Sequence, residues 1–250
     1  MQRVMWTDPL VRKPGMSLAE YSRYYLDVHG AIALAGGLSQ IRRYVQNHRI
    51  DQLPPVLERI GLGDNGIDSV AQIWLDNQAA LLEMIATPGA QALLEDERNF
   101  MDLDRPRAPV FLIESVIEGP PRGAQPDGLK LLVFARRQVA LSVGAFRERW
   151  LTAVDAGSAR AVGATRHIVS LAAGDFRYDD AAVERIADPR GAIDGVREIW
   201  FPSIDAITAS NIDAWQRLIY PAGVDPARTQ TVLVREHILI AGERKNLGCP

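Results

Sequence analysis

Cysteine is almost absent from this sequence of 250 residues, and so is any large excess of charge of one sign. The single cysteine is Cys249, next to the last residue, so an internal disulfide and a cysteine-based metal site are both excluded. The formal net charge is −3, which argues against a nucleic-acid partner because such a partner needs a basic surface.

Long hydrophobic runs are missing as well. No apolar stretch approaches the roughly 20 residues of a membrane-spanning helix, and the first six residues lack the basic and then apolar pattern of a signal peptide. Hydrophobic residues make up 47% of the sequence and charged residues 24%, as in an ordinary soluble globular protein. We therefore expect a soluble, cytoplasmic protein with no membrane partner.

The sequence contains no phosphate-binding loop, no His-Glu-x-x-His motif and no Gly-x-Ser-x-Gly elbow. The stretch 51–68 is predicted to be a long loop with a short helical piece around 56–60. Its glycine-rich run at 61–66 precedes a strand, the wrong order for a dinucleotide-binding loop. We expect no cofactor and no metal, although Asp or Glu side chains could complete a metal site that histidines alone would leave short of ligands.

The sequence does contain one well-marked helix. Ser17 and Glu20 have the spacing of a capping box. Residues with apolar or aromatic side chains then recur at helical spacing, at Leu18, Tyr21, Tyr25, Val28 and Ile32. His29 follows the fourth of these directly, so we predict that it lies on or beside the buried face of the helix.

The strand predicted after this helix, at residues 41–50, directs Tyr44 and His48 to one side. A buried neutral histidine is a candidate acid or base near neutral pH, and a tyrosine hydroxyl can donate to a developing oxyanion. We therefore predict that His29, His48 and Tyr44 are catalytic. The structural alternatives are a buried histidine bonded to a carbonyl, a solvent-facing histidine and a packed tyrosine.

Further side chains are candidates to line a ligand cavity beside these residues. We predict that the substrate is bound by Trp6, Tyr25, Gln72, Trp74 and His237. Core packing explains the tryptophans equally well, and His167 is predicted to be structural. Asp27 and Glu114 are candidates to orient a histidine by accepting its second ring proton.

The element pattern βαββαβ, the split βαβ arrangement, spans residues 1–118 and then recurs at 129–250 after a Pro- and Gly-rich linker at 119–128. Trp200 follows Trp74 at a spacing of 126 residues, and other motifs keep nearly the same offset. We interpret this as an internal duplication into two repeats. Each unit leaves one sheet face bare, which must be buried. We expect an α+β fold in which two tandem ferredoxin-like repeats pair their antiparallel sheets as a pseudo-dimeric α+β barrel.

The two repeats differ in their histidines. Val154 stands opposite His29 and Leu171 opposite His48, so the second repeat lacks both candidates. We predict that the first repeat carries the site and that the second mainly completes the core. Pairing of the two repeats within one chain removes the usual reason to dimerise. The sheet edges could still associate, so we keep a homodimer as an alternative.

Several runs of the first repeat together resemble the EthD domain family. They are Arg12-Lys-Pro-Gly-Met-Ser17, Tyr24-Tyr-Leu-Asp-Val-His29, Arg43-Tyr-Val-Gln-Asn-His48, Val70-Ala-Gln-Ile-Trp74 and Thr87-Pro-Gly-Ala-Gln-Ala-Leu-Leu94. The resemblance is good over residues 1–118 and weak beyond. It implies the dimeric α+β barrel, or ferredoxin-like, superfamily.

The resemblance also implies a cofactor-independent lyase or isomerase, of the dehydratase or cyclase type, that uses acid–base chemistry on a small apolar aromatic, polyketide or lactone carbonyl compound. In a related lactone isomerase the residues matching His29 and Tyr44 are catalytic and substrate-contacting. Ile73 stands where that enzyme has a cysteine, so its particular reaction is in doubt here. Two alternatives stay open: a haem protein of the chlorite-dismutase or peroxidase type with a histidine ligand, and a non-catalytic binding or accessory protein.

Overall fold

The computed structural model describes residues 3–51, 66–119, 129–153, 156–173, 190–207 and 211–241, together with 53, 55 and 58. Four predictions lie wholly or largely outside the described residues: the helical piece around 56–60 except residue 58, the linker at 119–128 except residue 119, Val154 opposite His29, and Cys249.

The described strands are β1 Val4–Leu10, β2 Arg43–Arg49, β3 Ser69–Leu75, β4 Val110–Glu118, β5 Leu129–Ala135, β6 Arg166–Ala172, β7 Gly195–Phe201 and β8 Gln230–Ile240. They form one closed barrel in the order β1-β3-β2-β8-β5-β7-β6-β4. Every neighbouring pair is antiparallel.

Each repeat supplies four adjacent strands of the barrel, in the order β4-β1-β3-β2 and β8-β5-β7-β6. The two sheets join where β2 pairs with β8 and where β4 pairs with β6. The predicted pseudo-dimeric α+β barrel is therefore confirmed. Because closure pairs both edges of each sheet, a homodimer cannot form through these edges and would need another surface.

The helices are α1 Leu18–Tyr24, a π-helical turn Tyr25–His29, α2 Gly30–Ala35, α3 Ala79–Ile85, α4 Pro88–Phe100, α5 Val143–Thr152, α6 Ala156–Ala161 and α7 Ile212–Ile219. The predicted capping box of α1 is present, since the Ser17 hydroxyl accepts from the Glu20 amide and the Glu20 carboxylate accepts from the Ser17 amide. In the described part of the chain no helix has the length and apolar character to cross a membrane.

Alternation along the strands divides the apolar core into layers. On β2 and β3, Tyr44 and Ile73 point outward and pack under the helices of the first repeat. Val45 and Trp74 point inward and meet residues of the second repeat inside the barrel. The helix-covered outer face of the first sheet is therefore the layer in which the site must be sought.

The same layer is filled more completely in the second repeat. Arg197 occupies the position that Ala71 holds in the first repeat, and its guanidinium lies 4.4 Å from the centre of the Trp150 ring. It donates to the carbonyl of Leu218 near the end of α7 at 3.2 Å. A long side chain thus takes the space that a methyl group leaves open in the first repeat.

Candidate active site

A cavity of about 80 Å³ lies between the helices of the first repeat and the outer face of its sheet. Its wall is mostly apolar. The polar members of the wall are Asp8, Tyr25, His29, Tyr44, Glu97 and Arg107. An apolar protein cavity of roughly 150 Å³ can hold benzene, so this cavity can enclose a smaller molecule whole and a molecule of that size only in part.

The π-helical turn decides which residues face this cavity. In it the amide of Gly30 donates to the carbonyl of Tyr25, five residues back. Such turns are frequent at functional sites. Tyr25 and His29 are buried, whereas Val28, expected in the apolar stripe, is 40% exposed. The predicted burial of His29 is correct, but the burial of Val28 was wrong because the wider turn rotates it towards solvent.

Asp96 on α4 is the partner of His29. Its Oδ2 lies 2.9 Å from His29 Nδ1, and its Oδ1 accepts hydrogen bonds from Tyr24 Oη at 2.7 Å and Asn99 Nδ2 at 3.0 Å. Burial raises the pKa of Asp96, but the three hydrogen bonds outweigh burial, so the pKa lies below its usual value. An ionised carboxylate only accepts hydrogen bonds, which places the proton of neutral His29 on Nδ1 and the lone pair on Nε2.

Burial lowers the pKa of His29, and the nearby carboxylates of Asp96 and Glu97 oppose this effect only in part. His29 is therefore neutral at pH 7 and can accept a proton. Asp27 and Glu114 were the carboxylates that the sequence suggested for orienting a histidine, and neither is the partner of His29. Asp27 is exposed on the outer side of the π turn, and the partner comes from a helix 67 residues further along the chain.

A chain of hydrogen bonds runs from His48 to the cavity. Gln46 Nε2 donates to the carbonyl of Tyr25 at 2.9 Å, which fixes the orientation of the amide. Gln46 Oε1 then accepts from His48 Nε2 at 3.1 Å, and Gln46 Nε2 also donates to the Tyr44 hydroxyl at 3.2 Å. Tyr44 in turn donates to the Tyr25 hydroxyl at 3.3 Å. Because the Tyr25 hydroxyl accepts from Tyr44, its own O–H proton is not used within this chain of hydrogen bonds.

The ionisation of these groups suits donation. Burial raises the pKa of Tyr44 to about 12 and that of Tyr25 well above its usual value, so both hydroxyls stay protonated. Burial, with a smaller effect from His237, lowers the pKa of His48 to about 3. The His48 ring stacks on the Tyr25 ring at 5.1 Å and is not part of the cavity wall. His48 is therefore connected to the cavity only indirectly, through its contacts with Gln46 and Tyr25.

The residues predicted to bind substrate divide into two groups. Trp6 and Tyr25 line the cavity. Gln72 and Trp74 point into the barrel, because Trp6 pairs with Ile73 and the next residue along β3 faces the other way. His237 packs edge-on against His48 at 4.6 Å, outside the cavity wall. The expectation that these last three residues line the cavity is therefore corrected.

Sequence reasoning missed a buried ion-pair cluster in the cavity wall. Arg107 pairs with both carboxylate oxygens of Asp8, and its Nη1 lies 3.2 Å from Glu97 Oε2. The exposed fractions of the Arg107 and Asp8 side chains are 4% and 0%. An acidic residue inside an otherwise buried strand was the available signal, because a buried carboxylate needs a partner. The partner lies 99 residues away, and no local pattern shows it.

Within the described residues, no group of three or more His, Cys, Asp or Glu side chains is arranged to hold a metal ion. The site therefore offers one oriented histidine, two hydroxyls and an arginine–carboxylate cluster. Together these can accept a proton, donate to an oxygen atom and fix a polar group of a ligand.

Comparison with known proteins supports the fold and the first repeat. The EthD domain model matches residues 13–104, which confirms the resemblance of this part of the chain. No curated protein matches the chain in sequence.

Solved structures match over nearly the whole chain. An anthrone oxidase-like protein has a TM-score of 0.58 at 11% identity, with 99% of this chain and 97% of that chain covered. A candidate monooxygenase from Fusobacterium nucleatum has a TM-score of 0.54 at 5% identity and coverages of 95% and 94%. Another from Lactobacillus acidophilus has a TM-score of 0.50 at 11% identity and coverages of 97% and 98%. At such low identities these likenesses establish the fold alone.

Proposed function

We propose that this chain, which carries an EthD domain at residues 13–104, is a cofactor-independent lyase or isomerase that removes a proton next to the carbonyl group of a small, largely apolar compound. The observation that carries the proposal is the Asp96–His29 pair in the wall of an apolar cavity. A base held in one tautomer, neutral at pH 7 and shielded from water, is what such a proton transfer requires.

In the first step His29 Nε2 accepts the proton from the carbon next to the carbonyl group. The electron pair of that C–H bond moves to the carbonyl oxygen and forms an enolate. Asp96 stabilises the imidazolium that results, because its carboxylate already accepts from Nδ1.

The enolate oxygen needs a donor, and Tyr25 provides it. Its hydroxyl accepts from Tyr44, so its own proton is directed to the ligand. Tyr44 and Gln46 act as positioning residues, and His48 supports them from behind the Tyr25 ring. The role of oxyanion donor thus passes from Tyr44, as predicted from sequence, to Tyr25.

The second step returns the proton. If the imidazolium of His29 protonates a different carbon of the enolate, the net reaction is an isomerisation. If the enolate instead expels a group from the next carbon and His29 protonates that leaving group, the net reaction is an elimination, as in a dehydratase. Both outcomes use the same first step, which is therefore the step to test.

The haem alternative receives no support from this site, because a cavity of about 80 Å³ is too small for a porphyrin. The non-catalytic alternative predicts binding without proton exchange, and one experiment separates it from an enzyme. The purified protein is mixed with 3-methyl-2-butanone, a small neutral ketone, in D₂O. Nuclear magnetic resonance (NMR) then follows the incorporation of deuterium next to the carbonyl group.

We expect wild-type protein to accelerate deuterium incorporation over buffer and His29→Ala to abolish the acceleration. Val28→Ala is the matched control, because Val28 lies on the same π turn but faces solvent. Circular dichroism and melting temperature verify folding of each variant. Equal rates in wild type and His29→Ala would refute the role of His29, and ketone binding without any acceleration would favour the non-catalytic alternative.

A further inference from the structure

We propose that the cluster of Asp8, Glu97 and Arg107 makes this cavity selective for a neutral carbonyl compound and excludes the corresponding carboxylate. This inference rests on the proposed function for its choice of ligand class. It concerns binding, however, and can be tested without turnover.

Arg107 can act as a donor to a ligand although it is already paired. Of the five N–H groups of a guanidinium, three are used in its bonds to Asp8 and Glu97. Within the described part of the chain this leaves one N–H on each terminal nitrogen. Burial lowers the pKa of Arg107, but the charges of Asp8 and Glu97 outweigh burial and hold the pKa above its usual value, so the donors persist.

Arg107 and Tyr25 both line the cavity. The Arg107 donors and the Tyr25 hydroxyl therefore belong to one wall. A carbonyl oxygen bound between them would have two sources of hydrogen bonds. Two donors aimed at one oxygen are the arrangement that stabilises an enolate.

The formal charge of the cavity wall disfavours an anionic ligand. Two carboxylates and one guanidinium stand in the wall, and a third carboxylate, Asp96, lies directly behind the neutral ring of His29. The surplus is negative, and the apolar wall screens it poorly. A ligand carboxylate would lose its hydration and meet like charge. A ketone loses much less hydration, and its oxygen can accept from the donors of Arg107 and Tyr25.

Helix α4 carries both the residue that orients the base and a residue of the charged cluster. Asp96 and Glu97 are consecutive residues, one bonded to His29 and the other to Arg107. The base and the polar anchor are therefore held by one turn of one rigid element. This fixes the separation between the carbon that loses its proton and the oxygen that receives charge.

The test compares two ligands of the same shape, 3-methyl-2-butanone and isobutyrate, whose only difference is a methyl group in place of a charged oxygen. Binding to wild-type protein, Glu97→Gln and Glu95→Gln is measured at pH 7 from changes in the NMR signals of the histidine rings. Glu97→Gln removes one negative charge from the cavity wall and keeps the shape of the side chain. Glu95→Gln removes one charge from the exposed side of the same helix.

We expect wild type and Glu95→Gln to bind the ketone at least tenfold more tightly than isobutyrate, and Glu97→Gln to reduce this preference severalfold by improving isobutyrate binding. Isobutyrate binding as tight as ketone binding in wild type would overturn the inference, as would equal effects of the two substitutions. Absence of binding by both ligands would overturn it as well. A strong ketone preference without deuterium incorporation would retain the inference and reject the proposed enzymatic function.

Discussion

The tautomer of neutral His29 is set by one neighbouring side chain, Asp96. Asp96→Asn replaces the acceptor at His29 Nδ1 with an amide, which can donate to Nδ1 and transfer the ring proton to Nε2. We expect the deuterium-incorporation rate to fall on the order of 10²-fold or more, with the fold retained. Asp27→Asn alters an exposed carboxylate in the same π turn as His29. This variant is the control and should keep the wild-type rate. Equal rates in the two variants would argue that Asp96 has no part in the chemistry.

His48 gives the protein a pH-dependent stability. Its pKa is about 3 in the folded state against 6.5 unperturbed. The unfolded chain therefore binds the extra proton first, and stability is lost as pH falls below 6.5 towards 3. At pH 5 the loss from this residue is about 2 kcal/mol relative to pH 7.

The variant His48→Leu should lack that part of the pH dependence. Leucine is the residue at the equivalent position of the second repeat, where Leu171 is buried. Urea unfolding at pH 7 and pH 5 measures the difference for each protein. We expect wild type to lose more stability between the two pH values than the variant. His167, with a pKa also lowered to about 3 by burial, and His29, whose pKa burial lowers too, contribute to the dependence that remains in both proteins. Identical losses would show that His48 is not a buried neutral histidine.

The site residues that the sequence revealed are those with local patterns. Helical spacing pointed to His29, and strand alternation correctly put Tyr44 and His48 on one face. The tryptophans are different, because the strand register that pairs Trp6 with Ile73 is a contact between distant segments. No local pattern specifies that register, and so Trp74 was assigned to the wrong side of the sheet.

At the scale of secondary-structure elements, the crossing of α2 and α4 sets the size of the cavity. A Cβ atom built on Gly89 would lie 2.1 Å from the carbonyl oxygen of Gly36, so the two helix ends touch through their backbones. Ala90, next to this contact, lines the cavity. Thr87 caps the start of α4 at this crossing by accepting from the amide of Ala90, and Pro88 is the first residue of the helix.

Gly89→Ala should force α4 away from α2. We expect a destabilisation of roughly 1–3 kcal/mol, as for other overpacked sites, and slower deuterium incorporation because Asp96 moves with the helix. Gly144→Ala is the control, since nothing lies within 4 Å of a Cβ at that helical position. That substitution should stabilise the protein by roughly 0.4–1 kcal/mol. Urea unfolding of both variants decides whether the crossing is as tight as the structure indicates.

At the scale of the whole molecule, the duplication could be predicted because the repeat spacing is nearly constant along the chain. Barrel closure followed from the need of each sheet to bury its bare face. The polar link between the repeats could not be predicted. Lys130 of the second repeat reaches into the barrel and lies 2.8 Å from Gln72 of the first, 3.1 Å from Glu198 and 2.7 Å from Glu236.

Lys130→Met removes a fully buried cation from between two carboxylates. We expect a loss of about 3–5 kcal/mol in the free energy of unfolding. The double variant Lys130→Met with Glu198→Gln should recover part of the loss, because it removes one of the two carboxylates that no longer face a cation. Urea unfolding measures both. A loss below 1 kcal/mol in the single variant would contradict the structural role of this network.

The most direct measurement is the pH dependence of deuterium incorporation into 3-methyl-2-butanone. Burial lowers the pKa of His29, so the base stays unprotonated through neutral pH. We predict an enzyme-catalysed rate that is constant near pH 7 and falls only in acid, with a midpoint below 6.5, and that is absent from His29→Ala at every pH. A wild-type rate equal to that of buffer, or a catalysed rate that survives in His29→Ala, would contradict the assignment of His29 as the base.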